Sequence, residues 1–220
     1  MVKTFNRFFT TINRTLRTDK KNEWVVIHYV GAVSTAENNA KYFHSTYRGA
    51  SAHYFVDENS IWQVVEDKDN AWHVGGAKTY YNGARNSNSI GIEMCCKYNG
   101  EWYIEEDTLD NTAWLASQLL KKYNLPLERL TTHYLTTHKV CPEPFVRKPE
   151  LWEEFKRKVE KYMADVPEVS LVEKINKIKE VMNIDDSTIQ YNKFYKYGVE
   201  YIDKQYKVCV DAEKYRKGLK

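Results

Sequence analysis

The chain contains no run of 18 apolar residues, so no segment of it is written to span a membrane. Charge of one sign is also missing. Thirty-three basic residues face 30 acidic ones for a net +3, which leaves no electrostatic case for a partner with a phosphate backbone, so no nucleic acid is expected. Cysteine is scarce, and Cys95, Cys96, Cys141 and Cys209 are too few and too clustered for a secreted disulfide scaffold. The opening MVKTFNRFFTTINRTLRTDKK lacks the uninterrupted apolar stretch and small-residue cleavage site of a secretion signal. The expectation is synthesis in the cytoplasm, with release by another agent if the target lies outside. Disorder is excluded by 42% hydrophobic and 29% charged residues. What remains is a 220-residue globular chain, long enough for one domain of about 150 residues plus a remainder of about 50–70. Its one compositional excess is tyrosine, at 17.

Hydrophobic periodicity predicts alternating strands and helices. Residues 24–30, WVVIHYV, form a continuous apolar run of the kind buried on both faces of a sheet. Ser34 opens a helical stretch with Ala36, Ala40, Phe43 and Tyr47 on one face, and Ser34 with Glu37 fits a capping box. HYFV at 53–56 and IWQVV at 61–65 flank a polar turn and read as a hairpin. Residues 72–88 read as a long loop, 89–96 (SIGIEMCC) as a second buried strand, and 108–123 as an amphipathic helix. Residues 125–144 read as a loop and 149–162 as a further helix. The implied fold class is α/β: a mixed central β-sheet flanked by helices.

Composition shifts near Ala164–Pro167. Residues 168–220 contain no Trp and no Pro but six of the tyrosines. Val169 to Met182 reads as one helix, and Ser187 caps a second that carries Tyr191, Phe194, Tyr195, Gly198, Ile202, Tyr206 and Cys209 at helical spacing. The expected division is a first domain over 1–163 and a small all-helical unit over 164–220. A unit that small has a marginal core alone, so it is expected to pack on a neighbour or to self-associate.

Among the histidines, His28 lies in the first core strand, and His133 and Cys141 are eight apart in TTHYLTTHKVCPEP. Two His and one Cys form a common zinc set that leaves a fourth position for water. The spacing matches no standard zinc finger, and a lone buried histidine is also an ordinary core residue.

The segments VVIHYVGA, SAHYFVDENSIWQVVED, AWHVGG, NSIGIEM and THYLTTHKVCPEP, in this order, resemble the zinc-dependent N-acetylmuramoyl-L-alanine amidases of the type 2 class. That class includes phage endolysins and is similar to peptidoglycan recognition proteins. The resemblance covers roughly residues 20–162. It implies that His28, His133 and Cys141 hold Zn2+, that Lys139 stabilises the oxyanion, and that Glu93 is the catalytic base. Ala52 departs from members that carry a tyrosine there, which favours Glu93 as the base. His138, beside Lys139, is a competing ligand candidate.

The resemblance implies hydrolysis of the amide between N-acetylmuramic acid and L-alanine in bacterial peptidoglycan, as in a phage-type endolysin reaching the wall through a holin. Tyr54, Trp72, His73 and Asn88 are candidates for contacts to sugar or peptide. The alternative is a non-catalytic peptidoglycan-binding recognition module, but binding-only relatives commonly lose the cysteine ligand, and Cys141 is present. For the helical unit, wall binding and self-association are both open.

Overall fold

The computed structural model describes residues 4–18, 21–164, 171–182, 206–213 and 216. The chain divides into two compact units, residues 1–165 and 166–220.

The first unit is a sheet with helices on both faces. Its strands are β1 (Thr4–Arg7), β3 (Trp24–Val33), β4 (Tyr54–Val56), β5 (Ser60–Gln63), β7 (Ser89–Tyr98), β8 (Trp102–Tyr103) and β9 (Leu130–Thr132), and β2 (Thr15–Leu16) pairs separately with β6 (Asp69–Asn70). The order is β1-β5-β4-β7-β3-β9, with β8 attached to β7. The pairs β1–β5, β4–β7, β7–β3 and β3–β9 are parallel, and only the β4–β5 hairpin and the β7–β8 pair run antiparallel in this sheet. The expected α/β class, with a mixed sheet between helices, is what the structure has.

Alternation along the central strands sorts side chains onto two faces. Val25 and Ile27 of β3, with Ile90, Ile92 and Met94 of β7, face α2 (Glu106–Lys122) and α5 (Pro149–Met163). There they pack on Leu115, Leu119, Leu120, Phe155 and Val159, all buried. Each such aliphatic or aromatic side chain contributes about 1.5–3 kcal/mol on burial. The opposite face carries Val26, His28, Gly91, Glu93 and Phe55. It is covered by α1 (Ala36–Ser45), whose Ala36 and Ala40 meet Phe55, and by the 71–88 loop, whose Val74 and Ala84 meet Val26. Every candidate ligand and catalytic group sits at this second face.

Several local expectations are corrected. The α1 cap is Thr35, not Ser34: its hydroxyl accepts from the Asn38 amide at 3.2 Å. Helix α1 ends at Ser45, so Tyr47 falls beyond it and is exposed. Strand β3 runs three residues past Val30, where Gly31 at φ +67° lets it shift register against β7. The stretch 125–144 is not one loop. It holds β9, α3 (His133–Thr137) and α4 (Glu143–Arg147). Strands β1 and β2 have no apolar run to announce them.

In the second unit, α6 (Leu171–Met182) forms within the expected helix, and residues 206–213 are helical. Ile178 and Cys209 are buried. The rest of the expected Tyr-rich helix, residues 187–205, lies outside the described residues.

Candidate metal centre

Three chain segments build the site. Strands β3 and β7 pair in parallel with His28 opposite Glu93, so both side chains leave the sheet on the same face as neighbours. Strand β9, on the other side of β3, delivers the chain to His133. Val25 pairs with Leu130 and Ile27 with Thr132, which sets His133 just beyond the strand end, beside His28. His28 and Glu93 lie mid-strand in β3 and β7, and only His133 follows a strand end, so the site is built on the face of the sheet.

The third ligand candidate returns by a tight reversal. Thr132 caps α3, its hydroxyl accepting from the Leu135 amide at 3.1 Å. His138 ends that helix in the left-handed conformation, φ +63°, with its amide bonded to the Tyr134 carbonyl at 2.8 Å. The chain then doubles back, and the Tyr134 amide donates to the Cys141 carbonyl at 2.8 Å. One turn of helix, one left-handed residue and an irregular return of three residues therefore account for the eight-residue spacing between His133 and Cys141.

The Nδ1 atoms of His28 and His133 lie 3.1 Å apart, and Cys141 Sγ is 3.7 Å from His28 Nδ1. One ligand atom from each of the three lies within 4.8 Å of the others, and all three residues are buried. A tetrahedral zinc with ordinary bond lengths sets its nitrogens about 3.3 Å apart and nitrogen from sulfur about 3.6 Å. The observed separations fit that geometry. His138 is not in the cluster. Its ring is exposed and stacks on Tyr81 with centroids 3.6 Å apart, so its role is to turn the chain, not to compete as a ligand.

The electrostatics suit a cation. Burial, then the neighbouring His73, His133 and Lys139, hold His28 well below the ordinary imidazole range. Burial and Lys139 lower His133 to about 4. Both rings are therefore neutral near pH 7 and offer lone pairs. Burial, with Glu93 nearby, pushes the Cys141 thiol up, so metal entry must displace its proton. Glu93 is half-buried as a residue, yet its Oε2 is fully covered and bonds nothing. Burial raises its carboxyl to about 8, against the opposing pull of Lys139. An orphaned buried carboxyl oxygen beside two neutral imidazoles and a thiol is a group suited to pair with a cation or with water held by one. Lys139 itself is exposed on the rim, close enough to act on His28, His133, Glu93 and Cys141.

Of the four residues expected to contact substrate, three are committed elsewhere. Tyr54 lies on the opposite face of the sheet, where its hydroxyl donates to Asp67 at 2.5 Å. Asn88 is buried at the end of the long loop, accepting from the Arg85 amide at 2.7 Å and donating to Glu23 at 2.9 Å. His73 is buried behind His28, with Nδ1 3.0 Å from His28 Nε2 and Nε2 3.1 Å from Ser89 Oγ. These side chains read as contact groups because polar and aromatic types suit both a groove and a hydrogen-bonded interior. Trp72 alone keeps a partly exposed ring, 6.0 Å from Tyr47. Ala52, at the position of the family tyrosine, is buried beside α1.

Two residues of the site escaped sequence reading, Ser89 and Gly91. A Cβ on Gly91 would lie 2.6 Å from the His73 ring, so only glycine leaves room for that ring against β7. A glycine inside an apolar strand was the available signal.

The N-acetylmuramoyl-L-alanine amidase family model matches residues 18–144. A probable N-acetylmuramoyl-L-alanine amidase of Bacillus licheniformis is 33% identical over 172 residues, 73% of this chain and 48% of its own length. The amidase BlyA of Bacillus subtilis is 30% identical over 177 residues, again 73% of this chain and 48% of its own. The chain thus spans about half the length of the curated relatives it matches. Among solved structures, a mutant endolysin from Bacillus subtilis superposes with a TM-score of 0.60 at 26% identity, over 72% of this chain and 99% of that one. The PlyG catalytic domain gives 0.61 at 25% identity, over 76% and 99%.

Proposed function

The chain belongs to the N-acetylmuramoyl-L-alanine amidase family, and from that premise we propose that it is a zinc-dependent amidase. Its substrate is the amide between N-acetylmuramic acid and L-alanine of peptidoglycan, which it cleaves as a phage-type endolysin. The observation that carries this reading is the convergence of His28, His133 and Cys141 at ligand spacing, with Glu93 in register beside His28.

His28, His133 and Cys141 would hold the zinc, three protein ligands leaving one position open. The bound ion supplies Lewis acidity towards the scissile carbonyl and lowers the pKa of water to about 7. The protein's own groups do the rest. Glu93 Oε2, unpaired and covered, would accept the proton of the attacking water once a bound cation offsets burial and restores the charged carboxylate, and return it to the departing alanine nitrogen. Lys139 sets a positive charge against the oxyanion that develops on the carbonyl oxygen. Trp72, partly exposed, offers an aromatic face to a sugar ring. A binding-only recognition module has no use for an unpartnered carboxylate beside a complete ligand set, which disfavours that alternative.

In this reading residues 1–163 are the catalytic domain and 164–220 a helical domain that binds the wall or self-associates. The protein is made in the cytoplasm and reaches the wall through a holin.

The test is digestion of purified cell walls. New alanine amino termini are expected, without new reducing sugars. They should vanish on chelation, return with zinc, and be absent with Cys141→Ser. Reducing sugars instead, or digestion indifferent to chelator, contradicts the proposal.

A further inference from the structure

His28 is the most buried of the three candidate ligands, at 1% exposure, and its imidazole can face the metal in only one protonation pattern. Its Nδ1 looks towards His133 Nδ1 and Cys141 Sγ, and its Nε2 looks towards His73 Nδ1 at 3.0 Å. For Nδ1 to carry a lone pair in the neutral ring, the proton must sit on Nε2. Some group has to accept it there.

We propose that His73 is a positioning residue for the metal centre: seated over Gly91 and oriented by Ser89, it holds His28 in the tautomer that presents Nδ1 to the metal.

The hydrogen-bond chain has one consistent direction. Ser89 Oγ lies 2.6 Å from the Arg85 carbonyl, an obligate acceptor, so its single hydroxyl proton goes there. Towards His73 Nε2, at 3.1 Å, the same oxygen must then accept, which puts the His73 proton on Nε2. Neutral His73 is left with a lone pair on Nδ1, directed at His28 Nε2. His28 Nε2–H donates into it, and His28 Nδ1 is bare. An ordinary backbone carbonyl thus fixes, through a serine and two imidazoles, which nitrogen of the first ligand faces the cation. Outer partners of this kind orient metal-bound histidines.

The seat is as specific as the bonds. Gly91 pairs with Val26 on β3, two residues before His28, and a Cβ there would stand 2.6 Å from His73 Cγ and 2.7 Å from its Nδ1. The Asn86 side chain accepts from the amides of both His73 and Val74, at 3.0 and 2.8 Å, and so pins the backbone that carries the ring. The His28 and His73 ring planes are perpendicular with centroids 5.1 Å apart, a separation that sets His28 Nε2 and His73 Nδ1, 3.0 Å apart, facing each other edge to edge.

This inference rests on the metal-centre reading, and the test separates the two. The 220-residue chain, metal-free and then zinc-loaded, is examined by long-range 1H–15N NMR of labelled histidines. Zinc binding is titrated against a chromophoric chelator. If the wild type binds no zinc, the metal-centre reading fails. If it does bind, the expected result is a proton on His28 Nε2 and zinc on Nδ1, with a proton on His73 Nε2. His73→Leu should lose about 10–100-fold in zinc affinity. His73→Asn, whose Oδ1 can stand in for Nδ1 as acceptor, should recover most of that loss, and Ser89→Ala should show a smaller one. Zinc on His28 Nε2, or equal affinity for the Leu and Asn variants, overturns the proposal. The wild-type NMR result holds even if a variant fails to fold.

Discussion

Several side chains sit in environments that contradict their usual charge. Glu93 is the clearest. Glu93→Gln keeps the shape and the zinc ligands but has no base, so turnover should fall about 10²–10⁴-fold while zinc affinity stays near wild type. Steady-state kinetics with a zinc titration checks both halves. Asp67 shows the opposite design, on the other face of the sheet. Burial alone would raise its carboxyl, but hydrogen bonds from Lys122 at 2.7 Å, Tyr54 at 2.5 Å and Tyr123 at 2.8 Å outweigh it and hold the group below the usual carboxylate range. A carboxyl depressed in the folded state stabilises the fold above its unfolded pKa, near 4, and that contribution is lost as pH falls through the lower folded value. Asp67→Asn should therefore cost about 1–3 kcal/mol at neutral pH. Urea unfolding should show the gap to wild type closing in acid.

Elements place these residues. His53, just before β4, accepts from the Gly91 amide at 3.0 Å and lies 3.2 Å from the Asp69 carbonyl, joining the hairpin to β7 and β6. Burial lowers it to about 4. The unfolded chain takes up this proton near pH 6.5 and the folded one does not, so stability carried by neutral His53 is intact above 6.5 and lost as pH falls towards 4. A metal-free His53→Asn variant should show a flatter melting profile across that window. Behind the sheet, Phe155 of α5 is 1% exposed among Trp152, Phe145 and the β3–β7 face. Phe155→Ala should cost about 3–5 kcal/mol in denaturant unfolding.

The central strands and main helices were legible because each has one strong period: WVVIHYV and SIGIEMCC for buried strands, and the apolar stripes of α2 and α5. His28, Glu93, His133 and Cys141 were legible because their segments resemble a family. Two kinds of feature were not. Strand β1 exists because β5 offers it a parallel edge, with Thr4 opposite Ser60, and nothing in TFNR announces that pairing. The direction in which a side chain leaves the sheet was also hidden. Tyr54 follows His53 directly, yet alternation sends it to the far face; in the loop, Trp72 stays partly exposed while the adjacent His73 is buried. Nothing in AWHVGG tells that His73 is buried, because the Gly91 gap and the Ser89 hydroxyl, both distant in sequence, determine that it points inward.

For the whole molecule, the candidate metal centre belongs entirely to the first unit, as do the family match and the strands that carry the candidate ligands. Among the described residues no helix is long and apolar enough to cross a membrane. A chain ending at residue 165 should therefore fold, bind zinc with wild-type affinity and cleave small soluble substrates at the full-length rate. If the helical unit is a wall anchor, the same truncation should reduce retention on sedimented walls. If it associates with itself, the truncation should reduce the mass seen by light scattering instead. Loss of zinc affinity on truncation would contradict the assignment of the site to the first unit.

The central claim is that this site breaks one particular amide. It is tested most directly by incubating the zinc-loaded protein with a defined muramyl peptide and measuring product masses. Two products are expected: free N-acetylmuramic acid, its lactyl group ending in a carboxylate, and the intact stem peptide with a free L-alanine amino terminus. Cleavage inside the peptide or at a glycosidic bond, or an untouched substrate with zinc demonstrably bound, would contradict it.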